Sequence, residues 1–342
     1  MFPLNAWYVA ATSDELGDKP LGRTICGRPM VFFRGSRGVV ALEDFCPHRG
    51  APLSLGSVRE GQLVCGYHGL TVGVDGRVAS MPCQRVDKFP EVRAYAVMER
   101  HGFIWVWPGD SNRAGDAHFR KFEWFDDSQW VYGGGLYHIQ CDYRLMIDNL
   151  MDLTHETYVH TSSIGQPEID ESPVDTRVEG DEVITSRFMW NIPAPPFWRM
   201  VLRMNGLDDD VPVDRWQICH FTPPSNVMIE VGVAHAGHGG YSADVRYKAG
   251  SIVVDFITPE TDSSIWYFWG MARRFNLDDP VLTEGIREGQ GKVFSEDKEM
   301  LERQQRNLQA WPDRKLLALN IDSGGIRSRK IIERMLAAER TA

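Results

Sequence analysis

The chain has 342 residues, of which 43% are hydrophobic and 25% are charged, with a formal net charge of −10 and a pI of about 5.5. This length predicts two domains, with three as the alternative, and a domain of this size can bury a core. The acidic balance argues against a nucleic-acid surface and against a polybasic membrane patch, since both require clustered lysine and arginine.

The first residues show no basic segment followed by a long apolar run, so no secretory signal is expected. No apolar run approaches the length of a membrane span, and the best, such as 251–257, has the length of a strand. The six cysteines are unevenly spaced, which is not typical of a disulfide framework. These features predict a protein of the reducing cytoplasm, where cysteine together with histidine more often indicates a metal site.

Residues 1–112 are predicted to form a small all-β domain. Short apolar runs alternate with turn signals, and the clearest runs are 30–33, 39–42 and 103–107. The pair Asp75-Gly76 is typical of a hairpin turn. The stretch 108–116 is rich in Pro, Gly, Asn, Asp and Ser and is therefore interpreted as a connector.

The first metal motif lies within this domain. Cys46 and His48 form a C-x-H loop, and after sixteen residues Cys65 and His68 form a C-x-x-H loop. Two thiolates and two imidazoles can hold a [2Fe–2S] cluster, with the cysteines on one iron and the histidines on the other, at a raised potential. A structural zinc site also accepts two cysteines and two histidines, but zinc fingers usually place a cysteine pair before a histidine pair. Because each loop carries one of each, the pattern favours a Rieske-type cluster.

Residues 113–342 are predicted to form a second domain of mixed α and β structure. Strand-like stretches at 227–233, 251–257 and 265–269 predict a mostly antiparallel sheet. A long helix is expected from about 280 to 307, and another from 326 to 339. The segment 144–160 also has helical content.

The second metal motif, N-x-x-D-x-x-H-x-x-x-x-H, lies within that last segment and contains Asn149, Asp152, His155 and His160. On a regular α-helix the two histidines would diverge by roughly 140°, so they can share a metal only if the helix widens into a π-turn or ends between them. Asp152 lies three residues before His155, which would place both on one face. Two imidazoles and one carboxylate form the facial triad that suits non-haem Fe(II) and leaves positions open for O₂.

The pattern leaves the carboxylate ligand open among three residues. Asp297, on the predicted long helix, is the first candidate, Glu296 is its neighbouring rival, and Asp152 is the third. Two histidines on a helix are often simply packed or solvated, and it is the cluster motif upstream that favours a metal site here.

The succession of these two motifs resembles the oxygenase components of the Rieske non-haem iron aromatic oxygenases, and within them the demethylase branch. The resemblance covers nearly the whole chain. Further matching stretches are 5–10, 42–54, 102–110, 140–146 and 257–261.

This resemblance implies an α+β fold, in which an N-terminal all-β Rieske [2Fe–2S] domain precedes a helix-grip (START-like) catalytic domain with an antiparallel sheet. It implies that His155, His160 and Asp297 bind the iron. Asp152 would carry electrons from a cluster histidine of a neighbouring subunit to His155, and Asn149 would sit near the iron.

The resemblance also implies an activity. The protein would be a terminal oxygenase that converts vanillate or a similar methoxybenzoate, with O₂, to protocatechuate and formaldehyde in aromatic catabolism. A separate flavin and iron–sulfur reductase would deliver electrons from NAD(P)H, and the assembly would be a head-to-tail homotrimer. The alternatives are a demethylase for syringate or anisate, a ring dioxygenase that releases no formaldehyde, and an electron carrier, which would need only the first hundred or so residues.

A substrate carboxylate requires a cationic or hydrogen-bonding partner. The stretch 194–199 is a candidate lid, with Arg199 or Arg203 near the carboxylate. The alternative is that Trp198 is a core residue and that both arginines are solvated.

Overall fold

The structure, a computed structural model, describes residues 1–115, 119–161 and 164–341. Its contacts divide the chain into two units. Unit 1 contains Met1–Lys121 together with Thr258–Asp262 and a short C-terminal stretch from Ala338, and unit 2 contains Phe122–Ile257 and Ser263–Ala337. The last residue of the predicted connector, Asp116, lies outside the described residues.

Unit 1 is built from short strands. They are β1 (Tyr8–Thr12), β2 (Leu21–Ile25), β3 (Arg28–Gly35), β4 (Gly38–Glu43), β5 (Ser57–Arg59), β6 (Gln62–Val64), β7 (Thr71–Val72), β8 (Val78–Ser80), β9 (Ala94–Arg100) and β10 (Phe103–Trp107). This confirms the all-β expectation for the N-terminal region, and the predicted runs lie in β3, β4 and β10.

These strands form two sheets. The larger sheet has the order β1-β10-β9-β4-β3-β2, and the smaller has the order β5-β6-β7-β8. Every residue of β10 is buried, which is why its sequence is continuously apolar. One core cluster contains Val31, Leu42 and Leu63 together with Cys46 and Cys65, so the two cysteines are anchored in the packed interior.

The later part of the chain adds seven strands and six α-helices among the residues described. The strands are β11 (Val131–Ile139), β12 (Val174–Glu179), β13 (Glu182–Ile192), β14 (Val213–Thr222), β15 (Asn226–His235), β16 (Lys248–Thr261) and β17 (Ser264–Arg273). The helices are α1 (Glu123–Asp126), α2 (Tyr143–Leu150), α3 (Glu156–Val159), α4 (Pro196–Met204), α5 (Pro280–Ala310) and α6 (Ser323–Thr341). The predicted stretches 227–233, 251–257 and 265–269 lie in β15, β16 and β17.

The seven strands form one antiparallel sheet with the order β11-β17-β16-β15-β14-β13-β12. Helix α5, 31 residues long, packs on the β11–β17 side. The Tyr137 hydroxyl donates to the Gly291 carbonyl at 2.9 Å, and the Phe294 ring lies 5.3 Å from Tyr267 and 5.5 Å from Trp269. The expected α+β domain with an antiparallel sheet and a long helix against it is confirmed.

A glycine permits this close approach of helix and sheet. A Cβ built on Gly291 would lie 3.1 Å from the Trp269 ring and 3.2 Å from the Tyr137 hydroxyl oxygen. Glycine disfavours the helix at this position, but its lack of a side chain allows the tight packing of α5 on the sheet. Over the parts of the chain that are described, no helix is both long and apolar enough to cross a membrane.

Candidate metal centres and their cavity

The two loops of the first motif have the same backbone design. The Gly50 N–H donates to the Cys46 carbonyl at 2.8 Å, and the Gly69 N–H donates to the Cys65 carbonyl at 3.0 Å. Each cysteine N–H in turn donates to the carbonyl five residues ahead, at 2.9 and 2.8 Å. Gly50 and Gly69 have φ values of +67° and +75°, a conformation that favours glycine and explains its place in both loops.

In both loops the cysteine side chain is buried and the histidine side chain is exposed. Cys46 and Cys65 are buried, whereas His48 and His68 are exposed, with ring centroids 4.5 Å apart. Burial raises the pKa of the Cys46 thiol, and the backbone N–H groups of His48 and Arg49 that point at its sulfur oppose this effect. Paired thiols with N–H donors, beside paired imidazoles, fit a [2Fe–2S] cluster of the Rieske type.

The second motif does not form one helix. Helix α2 ends at Leu150, and the Asp152 carboxylate then accepts hydrogen bonds from the Thr154 N–H and hydroxyl, both at 2.7 Å. This turn breaks the helix, so the predicted shared helical face of Asp152 and His155 is wrong. The two groups are nevertheless neighbours, since Asp152 Oδ2 lies 3.9 Å from His155 Nδ1.

A short helix between the two histidines, and not a π-turn, brings their rings together. Helix α3 is a single turn, with His155 as its N-cap and His160 as its C-cap. The Val159 N–H donates to the His155 carbonyl at 2.9 Å, and His160 leaves the helical conformation with ψ of 36°. Because both rings flank the turn, their centroids come within 5.2 Å of each other.

Helix α5 brings Asp297 to these two rings. Asp297 Oδ1 lies 3.5 Å from His155 Nε2 and 3.3 Å from His160 Nε2, and one ligand atom from each of the three residues lies within 4.8 Å of the others. Two imidazoles and one carboxylate converging in this way fit a mononuclear iron site with open positions. Of the three carboxylates weighed from the sequence, Asp297 is the one in this group.

The neighbouring polar residues hold the triad in place. Glu296 Oε2 lies 2.8 Å from His160 Nδ1, and the Asn149 amide donates to Asp297 Oδ1 at 3.0 Å. If a metal were bound through the Nε2 of His160, its Nδ1 would carry the proton and donate to Glu296, which would fix the tautomer. Glu296 is therefore placed to orient a ligand.

The charges of Asp297, His155 and His160 stabilise one another. Burial favours the neutral form of Asp297, but hydrogen bonds from His155 and His160 outweigh it and hold the pKa of Asp297 well below its usual range. Burial likewise disfavours charge on the two histidines, but contact with Asp297 raises the pKa of each. A divalent cation held by these residues would displace these protons.

The triad opens onto a cavity of about 520 Å³ in unit 2. Its lining is mostly apolar, with Ile229, Val231 and Val253 on the sheet side and Ile286 and Val293 on α5. A cavity of this size, closed mainly by aliphatic side chains beside an open metal site, suits a small aromatic substrate.

A network of buried polar groups lies at one wall of this cavity. The Gln217 amide nitrogen donates to both oxygens of Glu156, at 2.7 and 2.9 Å, and Gln217 Oε1 accepts from Arg187 at 3.4 Å. Arg215 lies 3.8 Å from Glu156. Sequence reasoning missed these residues, because charged residues inside a strand ordinarily indicate an exposed face and nothing local signals distant partners.

The residues predicted near a substrate carboxylate lie elsewhere. Arg199 forms ion pairs with Asp209 and Asp210, and Arg203 pairs with Asp209, both at exposed positions. Neither arginine lines the cavity, although Phe197 of the same helix does.

Comparison with known proteins gives two family matches. Residues 6–95 match the Rieske [2Fe-2S] domain, and residues 139–338 match the vanillate O-demethylase oxygenase C-terminal domain. The chain is 69% identical over 343 residues to the vanillate O-demethylase oxygenase subunit of a Pseudomonas strain, covering 100% of this chain and 97% of that protein.

More distant relatives differ in the substrates that their names record. The oxygenase component of dicamba O-demethylase from Stenotrophomonas maltophilia is 34% identical, over 98% of both chains. The crystal structure of dicamba monooxygenase bound to 3,6-dichlorosalicylic acid superposes with a TM-score of 0.89 at 33% identity, covering 100% of this chain and 99% of that one. An iron–sulfur subunit of the toluene-4-sulfonate monooxygenase system from Comamonas testosteroni is 34% identical, over 99% and 98%.

Proposed function

Because the chain belongs to the Rieske oxygenases that carry the vanillate O-demethylase oxygenase C-terminal domain, we propose that it demethylates vanillate as the terminal oxygenase component of an aromatic O-demethylase. The protein is a Rieske-type monooxygenase, and its cofactors are one [2Fe–2S] cluster and one mononuclear iron. The identity of 69% over the whole chain carries the choice of vanillate.

The proposed reaction consumes vanillate, O₂, two electrons and two protons, and yields protocatechuate, formaldehyde and water. Hydroxylation of the methoxy carbon gives a hemiacetal, which collapses by breaking the bond between that carbon and the phenolic oxygen. When bound, the iron supplies O₂ activation and the cluster supplies electrons one at a time. The cavity's contribution is to hold the methoxy group beside the triad and to exclude water.

We assign each cofactor to one domain. Residues 1–112 would form the Rieske domain, with the cluster bound by the two cysteines and two histidines of its paired loops, Cys46, His48, Cys65 and His68. Residues 113–342 would form the catalytic domain, with iron bound by His155, His160 and Asp297. The support for this assignment is the burial of the thiols, the convergence of the triad and the two family matches.

Asp152 and Asn149 are assigned catalytic roles around the iron. Asn149 would steady Asp297, to which it already donates a hydrogen bond. Asp152 would link His155 to a cluster histidine of a neighbouring subunit. Within the described chain, His155 Nδ1 has no hydrogen-bond partner, and Asp152 is the carboxylate beside it.

A homotrimer would bring such a histidine to Asp152. In unit 1 the exposed His48 and His68 are accompanied by exposed apolar side chains, which are Phe45, Leu55 and Tyr67. Unit 2 exposes Tyr158, Leu317 and Leu319. Exposed apolar groups of this kind mark interaction surfaces, and we propose that these two sets meet between subunits.

Electrons would come from NAD(P)H through a separate flavin and iron–sulfur reductase, because the names of the relatives describe one subunit or component of a larger system. A reducing cytoplasm is the proposed setting, which suits the six free cysteines.

Formaldehyde release tests the proposal. Purified holoenzyme, NADH and a matching reductase should convert vanillate to equal amounts of formaldehyde and protocatechuate. Oxidation of NADH without formaldehyde would reject vanillate as the substrate, and syringate and anisate would be compared next. A cis-diol product would instead identify a ring dioxygenase.

A further inference from the structure

We propose that Lys292 is a specificity-determining residue that binds the carboxylate of the aromatic substrate at the open side of the cavity. The inference rests on the proposed function, because it requires an aryl methyl ether that carries a carboxylate. It explains how a mostly aliphatic cavity selects an anion.

An unpaired carboxylate is costly in this cavity. Strands β15, β16 and β17 present hydrocarbon and thioether groups to the cavity, at Ile229, Val231, Val253 and Met271. Moving a carboxylate from water into such surroundings is unfavourable unless a cation or several hydrogen-bond donors meet it. The selection of an acid therefore requires a donor on another wall.

Most polar groups of the lining are already engaged. His155, His160 and Asp297 form the triad, and the Asn149 amide donates to Asp297. The Gln217 amide nitrogen donates to both oxygens of Glu156. None of these groups can turn to a substrate carboxylate without breaking a buried hydrogen bond.

Lys292 is different from all of them. Apart from the triad histidines, it is the one basic residue among the described residues that line the cavity. The structure gives its ammonium group no ion pair within the described chain, whereas Arg287, on the same helix, is paired with Glu284. Lys292 is exposed, so its charge stays hydrated while the cavity is empty and is available to an incoming anion.

The position of Lys292 on α5 suits the size of the substrate. Lys292 precedes Asp297 by five residues, which is about 7.5 Å of helix rise and roughly 140° of rotation, so the two side chains leave α5 in different directions although both line the cavity. A methoxy group beside the triad would therefore leave the carboxylate within reach of the long lysine side chain.

Two glycines show that the side of α5 that carries Lys292 is not covered by other groups among the described residues. Gly285 and Gly289 line the cavity and precede Lys292 at spacings of seven and three residues, which places all three along one stripe of α5. A Cβ built on either glycine would meet nothing within 4 Å. The lysine thus lies beside an uncrowded part of the cavity wall.

Binding measurements test this assignment. Holoenzyme is titrated anaerobically by calorimetry with vanillate and with vanillyl alcohol, its uncharged analogue. The variants are Lys292→Met, which keeps the bulk and removes the charge, and Lys292→Arg, which keeps the charge. Lys19→Met, at an exposed position in unit 1, controls for the change in net charge.

Lys292→Met should weaken vanillate binding by about 10-fold, the effect of losing one charge-assisted hydrogen bond. Its affinity for vanillyl alcohol should stay within about 2-fold of wild type, Lys292→Arg should retain most of the preference for the acid, and Lys19→Met should behave as wild type. An equal loss for both ligands, an unchanged affinity for vanillate, or a wild-type enzyme without preference for the acid would each overturn the assignment.

These outcomes are separate from those of the proposed function. If formaldehyde is released from another methoxybenzoate instead of vanillate, the proposed substrate fails. The same comparison of acid with alcohol, made on that compound, still decides the role of Lys292.

Discussion

The cluster loops of unit 1 and the iron triad of unit 2 differ in how far apart their ligands lie along the chain. Each loop carries one cysteine and one histidine on a backbone closed by its own hydrogen bonds, and the two loops follow each other closely. The triad joins a one-turn helix to a residue of α5 far along the chain. A site made of local loops is specified by its own sequence, whereas the triad depends on the packing of helix against sheet.

The largest expected effect is the loss of one metal without the other. Asp297→Ala removes the carboxylate at which both histidines converge, so iron content should fall to background and formaldehyde release by more than the ~100-fold typical of changes around a ligand. Iron is measured by elemental analysis, and the cluster by its visible absorption. The cluster content should equal that of wild type.

The matched control is Glu299→Gln, an exposed carboxylate on the same helix. It should keep both metals. Retention of iron by Asp297→Ala would show that Asp297 is not a required ligand, and parallel loss of the cluster would show that the two sites are not independent.

A smaller loss is expected when the orientation of a ligand is disturbed. Glu296→Gln weakens the acceptor at His160 Nδ1 while leaving all three ligands in place. The rate of iron transfer to a chelator should rise by ~10- to 100-fold, because weaker binding releases iron faster. An unchanged rate would mean that packing alone orients His160.

The burial of Asp255 in unit 2 predicts that the free energy of unfolding depends on pH. Burial raises the pKa of Asp255 to about 8, despite the hydrogen bond that it accepts from the Tyr267 hydroxyl at 2.6 Å. In the unfolded chain the group ionises near pH ~4, so between there and about 8 the folded state holds the extra proton. Unfolding free energy should therefore fall with rising pH across that window, by at most ~1.4 kcal/mol per pH unit from this group.

Asp255→Asn removes this titration and keeps an oxygen for Tyr267. Denaturant unfolding of both proteins at several pH values should show the variant gaining relative to wild type as the pH rises from ~4 towards ~8, and no further gain above that. A constant difference would mean that Asp255 is ionised in the folded protein.

The smallest expected effect tests the local design of the loops. Gly69→Ala places a side chain at φ of +75° with its Cβ 3.1 Å from the Pro82 ring, and should destabilise unit 1 by ~1–2 kcal/mol. Thermal unfolding followed through the cluster absorption measures this change. The control is Gly17→Ala, whose Cβ would meet nothing within 4 Å.

These contrasts also explain what could be predicted from the sequence. The four proposed cluster ligands can be predicted from their spacing alone, because each loop supplies one cysteine and one histidine that are close in sequence. For the iron, the same reasoning predicts His155 and His160 as ligands but leaves the carboxylate open among Asp297, Glu296 and Asp152. Only packing decides which carboxylate of α5 faces the rings.

The remaining differences come from tertiary contacts. The break between α2 and α3 depends on the Asp152 turn, which no helical periodicity reveals. Gln217 and Arg187 are buried because their partners lie on other elements. Arg199 was considered for the carboxylate on residue type alone, and Asp209 and Asp210 engage it instead.

Helix α3 has a consequence for the dynamics of the protein. A helix of four residues is far below the ~12–15 residues at which an isolated helix becomes marginally stable, so the contacts at its ends sustain it. Amide hydrogens of this turn should exchange with solvent through a local opening, and iron held by His155, His160 and Asp297 would slow that exchange. The same opening would give a metal ion a route to the triad without unfolding the sheet.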